Sequence, residues 1–210
     1  MKVLLVGATG LVGAELLELL LRNSKVTEVE TLTRRPILKV HEKLNQKVIN
    51  FKNVDDHNLY NDVDTVFCCL GTTISDAGSR EVFKNVDFAI VTKLAKAAKE
   101  KGVRRFLYIS SIGASKSSPF FYLKTKGEVE QALRHLGFEH LVILRPSLLL
   151  GIRARKRRGE ELAQKWMPKI SFLLPPHRRP IKAKDVAKSM IELCFDKSVS
   201  SHLQYEVFRT

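Results

Sequence analysis

Near the start of the chain, Val3-Leu4-Leu5-Val6 is an unbroken apolar run, too short for a helix and long enough for a strand buried on both faces. Gly7, Gly10 and Gly13 follow at even spacing. From Ala14 to Leu21 the composition is helix-forming, with Glu15 and Glu18 on the side that would face water. Val26–Thr33 alternates, Val29 and Thr31 against Glu28 and Glu30, which predicts a second strand. Lys47–Phe51 and Val63–Leu70 read as the third and fourth. Across Asn85–Lys101, Val86, Ala89, Ile90, Leu94, Ala97 and Ala98 form one helix face; Lys96, Lys99 and Glu100 lie away from it, and Gly102 stops the helix. Arg105–Ser110 and Glu139–Leu144 are the fifth and sixth strands, with a helix over Phe121–Leu136 between them. A later helix spans Lys184–Phe195, and Leu203–Phe208 reads as a last strand.

Strands alternate with helices, with no internal repeat and no linker. That order predicts one α/β domain over 1–210, a doubly wound Rossmann-type fold with a mostly parallel sheet flanked by helices. At 210 residues the chain is long enough for one sizeable core and short for two. Its 44% hydrophobic and 28% charged residues are ordinary for a soluble globular protein. No apolar run approaches the ~20 residues of a membrane span, and the few apolar residues before Gly7 are too short for a signal peptide. A cytoplasmic location is therefore expected. Cys68 and Cys69, neighbours in a strand, point to opposite faces; with Cys194 they lack metal-ligand spacing and read as reduced structural thiols.

Strand, glycine turn and helix together form the opening of a dinucleotide-binding βαβ unit. Gly7 allows a sharp exit from the strand, Gly10 lets a pyrophosphate approach the backbone, and Gly13 lets the helix pack on the strand. The amides of Gly10, Leu11 and Val12 would face phosphates at a helix N-terminus, and Thr9 adds a hydroxyl. The competing reading is an ordinary strand-to-helix turn. About 20 residues beyond the glycines, where selectivity for NAD would call for an acidic residue, the chain has Thr33-Arg34-Arg35. Two guanidiniums favour a 2′-phosphate, which predicts NADP(H) over NAD(H); a pair of surface arginines before Pro36 is the alternative. Ligands bind beyond the strand ends of an open parallel sheet, so Leu70 and Gly71 should border the adenosine half or the pyrophosphate.

Tyr122 and Lys126 are four apart near the start of a predicted helix and share a face. A nearby ammonium favours a phenolate, which makes Tyr122 a candidate acid/base, and the same lysine could hold the nicotinamide ribose. Ser111, at a predicted strand end, could hydrogen-bond a substrate oxygen; Ser110 is the alternate. Half-buried packing is the plainer reading of such a tyrosine.

GATGLVG at 7–13, TRR at 33–35, CCLGTT at 68–73, SSIGASKSS at 110–118, YLKTKGEVE at 122–130 and RPSLLL at 145–150 together resemble an atypical short-chain dehydrogenase/reductase. The resemblance is strongest to the Tat-interactive protein oxidoreductases and their bacterial relatives. It implies NADP(H) binding by Thr9–Val12, Arg34, Arg35, Leu70, Gly71, Tyr122 and Lys126, with Tyr122 as proton donor and acceptor. It also implies that Leu149 borders the cofactor and that Arg157 reaches a phosphate. The chain departs from the family at Arg158, in place of a proline, and at Asn50, where relatives often carry an aspartate near adenine.

The formal net charge is +14, which raises the odds of polyanionic partners. Arg153–Arg158 should overhang the cleft, as a solvated loop, a phosphate clamp or a polyanion contact. Nucleic acid is disfavoured, because the run lacks interleaved aromatics and no helix-turn-helix or zinc module is present. Two functions compete: an oxidoreductase acting on a small carbonyl or alcohol, and a catalytically silent NADP(H)-binding redox sensor acting through a protein partner. No long apolar surface helix stands out, which fits a monomer.

Overall fold

The computed structural model describes residues 1–151 and 179–196, and the backbone of 203–207. Nine strands are described: β1 (Lys2–Val6), β2 (Glu28–Thr33), β3 (Leu44–Val48), β4 (Thr65–Cys68), β5 (Arg105–Ile109), β6 (His140–Pro146), β7 (Leu149–Leu150), β8 (Ile181–Lys182) and β9 (Leu203–Val207). Seven form one sheet in the order β3-β2-β1-β4-β5-β6-β9, every pairing parallel. The strand order reverses between β1 and β4, and the carboxyl ends at such a switch point are where open parallel sheets bind their ligands. β7 and β8 pair separately.

The α-helices among the described residues are α1 (Leu11–Arg22), α2 (Ile74–Ala77), α3 (Arg80–Lys84), α4 (Val91–Glu100), α5 (Phe121–His135) and α6 (Ala183–Phe195). The strand period of two divides the core. Val3, Leu5, Phe67 and Leu107 pack toward α1 and α6, while Leu4, Val6, Val66 and Phe106 pack toward α4 and α5. Helices thus cover both faces, as a parallel sheet requires. Cys68 and Cys69 do face opposite sides.

Three expectations are corrected. The third strand is Leu44–Val48 rather than Lys47–Phe51, because the Asn50 side chain accepts from the Lys52 amide at 3.0 Å and turns the chain into a short 3₁₀ helix over Phe51–Asn53. Asn50 is thereby committed to a cap. β2 is not wet on alternate positions: Glu30 is buried and pairs with Lys2 at 3.2 Å and Lys47 at 2.7 Å. Between Lys84 and Val91 the chain winds as a π-helix, Asn85–Ile90, before α4 begins. The wider turn shifts the phase of the predicted face, so Ala89 is exposed while Asp87 and Val91 are buried.

Candidate functional site

At the end of β1, Gly7 has φ +90°, and a Cβ there would lie 2.6 Å from the carbonyl of Cys69. A Cβ on Gly13 would lie 2.1 Å from the Gly7 oxygen, so α1 docks on the turn with no room for a methyl. Gly10 caps α1 without a side-chain hydrogen bond. Its amide donates to the Gly7 oxygen at 2.9 Å, which corrects the expectation that it faces a phosphate. The amides of Leu11, Val12 and Gly13 make no hydrogen bond among the described residues. Three aligned donors therefore remain at the positive end of a helix dipole. Thr9 is exposed beside them.

β2 runs beside β1 and ends at Thr33, whose buried hydroxyl has no partner among the described residues. Arg34 and Arg35 follow, both exposed and in no ion pair among the described residues. On the other side of β1, Leu70 is half-buried against the α4/α5 core and Gly71 is exposed. Leu149, in β7, is half-buried on the α1 side; a Cβ on Gly151 would lie 2.7 Å from Leu11, so this segment lies against the start of α1. Arg157, Arg158 and the rest of the basic run lie outside the described residues.

Tyr122 and Lys126 lie one turn apart on α5. Lys126 is only 3% exposed, and its Nζ reaches Asp87 Oδ1 at 2.9 Å, the Tyr108 hydroxyl at 3.1 Å and the Ile109 carbonyl at 3.5 Å. Burial alone would lower its pKa; the Tyr108 oxygen, the Asp87 carboxylate and Tyr122 outweigh it, and the ammonium titrates well above the usual lysine range. The Tyr122 ring packs on Phe83 at 5.7 Å between centroids, and its hydroxyl makes no hydrogen bond among the described residues.

The serines divide in the same way. Ser110 is buried and donates to Glu130, which also binds Arg145 through Nε at 2.9 Å and Nη2 at 2.6 Å. Arg145 in turn donates to the Ala114 carbonyl at 3.0 Å, tying the serine loop to α5 and β6. Ser111 is half-buried, and its hydroxyl has only a long 3.4 Å contact to the Ile112 carbonyl. Ser110 is therefore spent on structure, whereas the Ser111 hydroxyl is held only by that long contact.

Reading the sequence missed Asp87 and Tyr108. A carboxylate inside an otherwise apolar stripe was the available clue for Asp87; for Tyr108, on an interior strand, there was none. Among the described residues no group of side chains could hold a metal ion, and no helix is long and apolar enough to cross a membrane.

Residues 7–197 match a family described as NAD(P)H-binding. The chain is 38% identical over 200 residues to "Protein FMP52, mitochondrial" of Debaryomyces hansenii, covering 92% of this chain and 87% of the relative. It is 39% identical over 169 residues to "Protein HTATIP2" of Rattus norvegicus, covering 79% and 69%. Among solved structures, a UDP-glucuronic acid 4-epimerase from Bacillus cereus, in complex with NAD and a substrate analogue, superposes with a TM-score of 0.77 at 18% identity. It covers 97% of this chain and 76% of its own, a likeness of fold.

Proposed function

Because this chain belongs to the NAD(P)H-binding family, with FMP52 and HTATIP2 proteins among its relatives, we propose that it is an NADP(H)-dependent oxidoreductase of the short-chain dehydrogenase type, acting on a small carbonyl or alcohol. What supports this most is Tyr122: its hydroxyl is uncommitted, one helical turn from a buried ammonium, at the sheet edge that carries the glycine turn.

The residues fit a dinucleotide. The Leu11, Val12 and Gly13 amides, with Thr9, would hold the pyrophosphate; a Cβ at Gly10 would lie 3.1 Å from the Gly7 oxygen, so glycine keeps the turn tight beneath them. Arg34 and Arg35 would take the 2′-phosphate and Lys126 the nicotinamide ribose. Leu70, Gly71 and Leu149 would border the ligand, and Arg157 would reach a phosphate as the resemblance implies. When bound, NADP(H) supplies the hydride donor or acceptor. Tyr122 Oη gives or takes the proton on the substrate oxygen, and Ser111 Oγ donates to the same oxygen and orients it. Asp87 offsets part of the lysine's charge, so the field at Tyr122 is smaller than that of a lone ammonium.

The test is titration of NADPH and NADH against the wild type and Arg34→Glu. NADPH should bind more tightly to the wild type and lose about 10–100-fold in the variant, with NADH little changed; equal wild-type affinities would remove the 2′-phosphate reading. On a panel of aldehydes and ketones, Tyr122→Phe should hold NADPH as before and lose about 10²–10⁴-fold in turnover. Turnover that survives removes Tyr122 from the chemistry. A wild type that binds NADPH and turns over nothing points to the redox sensor with a protein partner. A cytoplasmic location belongs to the same proposal, and cell fractionation tests it against the mitochondrial location in the FMP52 name.

A further inference from the structure

Asp87 joins three elements. It is fully buried in the π-helical turn, its Oδ1 lies 2.9 Å from Lys126 Nζ on α5, and its Oδ2 accepts from the Thr72 amide, in the loop after β4, at 2.8 Å. The titratable groups facing Lys126 come from β5 (Tyr108), the π turn (Asp87) and its own helix (Tyr122), with the Cys68 thiol of β4 nearby; of these Asp87 is the carboxylate.

Stability is a weak reason to keep such a pair. Two charges taken from water lose hydration that their attraction roughly returns, and an apolar pair of the same volume often serves as well. Geometry is the better reason. A π turn is rare and clusters at functional sites, and this one puts a carboxylate where an unbroken α-helix would place a different residue. Gly71, itself exposed, packs against the pair: a Cβ there would lie 3.5 Å from both Asp87 Oδ1 and Lys126 Nζ, so bare backbone is all that this residue places over the buried ions. Of the three Nζ contacts, the one to the Ile109 carbonyl is the longest at 3.5 Å. That N–H is the donor most easily turned to a ligand.

We propose that Asp87 is a positioning residue: its two oxygens hold the Lys126 ammonium and the Thr72 amide in one frame, and so set where the nicotinamide-ribose end of a dinucleotide lies. The proposal rests on the NADP(H) reading above. It predicts a loss confined to one half of the ligand, because 2′,5′-ADP carries the adenosine, the 2′-phosphate and the adenosine-side 5′-phosphate but neither the second phosphate of the bridge nor the nicotinamide ribose.

The experiment measures dissociation constants for NADPH and 2′,5′-ADP with the wild type, Asp87→Asn, Lys126→Met and the double variant. Asp87→Asn should weaken NADPH about tenfold or more and leave 2′,5′-ADP unchanged. The double variant should lose no more than Lys126→Met alone, since Asp87 acts through that lysine. Additive losses, or 2′,5′-ADP falling in step with NADPH, overturn the proposal while leaving the cofactor reading standing. A wild type that binds neither ligand overturns both. Should Asp87→Asn fail to fold, Asp87→Glu keeps the charge and displaces it by one methylene; selective loss of NADPH then supports the proposal, and unchanged NADPH affinity overturns it.

Discussion

A single added methyl separates the glycines that build the site from the glycine that only lies over it. At Gly13 the methyl would meet the Gly7 oxygen at 2.1 Å, a contact only backbone movement relieves. Gly13→Ala should therefore cost about 1–3 kcal/mol in urea unfolding despite the better helix propensity of alanine. At Gly71 the methyl meets Asp87 and Lys126 at 3.5 Å, ordinary contact. Gly71→Ala should stay within about 0.5 kcal/mol of wild type in the same unfolding, yet weaken NADPH, because it roofs the pair. If NADPH affinity is unchanged, that pair does not face the ligand. The first glycine was legible in the sequence because strand, turn and helix surround it. The role of Gly71 was not, since it depends on Asp87, a carboxylate inside the apolar stripe whose partners, Lys126 and Thr72, are brought to it only by the fold.

Between elements, local preference and tertiary packing disagree at Gly127. Within α5, alanine would be favoured over glycine by about 1 kcal/mol, yet a Cβ there would lie 2.3 Å from the Ser115 carbonyl carbon and 2.4 Å from the Lys116 amide. Both are backbone atoms of the loop that carries Ser111, and Arg145 holds the same loop through Ala114. The clash wins: Gly127→Ala should destabilise by about 2 kcal/mol net, and relief of the clash should push the serine loop away from Tyr122. Urea unfolding measures the first, and a stability equal to wild type would mean that loop and helix separate freely. Element types were readable from periodicity, because buried strands and amphipathic helices differ in period. The π turn was not: it adds a residue to one turn for the sake of Asp87, and the apolar stripe on either side survives the interruption. The edge strand β3 slipped for a different reason. Its own burial pattern is weak, and a cap by Asn50 ended it before the apolar Ile49 and Phe51.

At the scale of the whole molecule, a sheet closed on both faces buries groups that hold their protons to high pH. Burial pushes the Cys68 thiol up to about 12 from 9.0 and that of Cys194 up to about 11 from 9.0. Tyr60 and Tyr108 are raised from 10.0, again chiefly by burial. Each of these groups is protonated in the folded chain at pH values where the unfolded chain has lost the proton. The unfolded state then binds fewer protons, and stability falls as pH rises, by about 1.4 kcal/mol per pH unit for each group so caught. Lys126 adds to the decline. With its folded pKa above 10.5, the stability it contributes is complete below that value and disappears as pH climbs through the folded one. Thermal unfolding should therefore be insensitive to these groups up to about pH 8 and decline steeply from about pH 9 upward. Cys68→Ala should start lower at neutral pH, for the cavity it leaves in the α4/α5 core, and decline less steeply between about pH 9 and 11, because one of the retained protons is gone. A wild-type midpoint that stays level to pH 11, or a variant with an unchanged slope, would mean that solvent reaches this core and that the sheet is not covered as described.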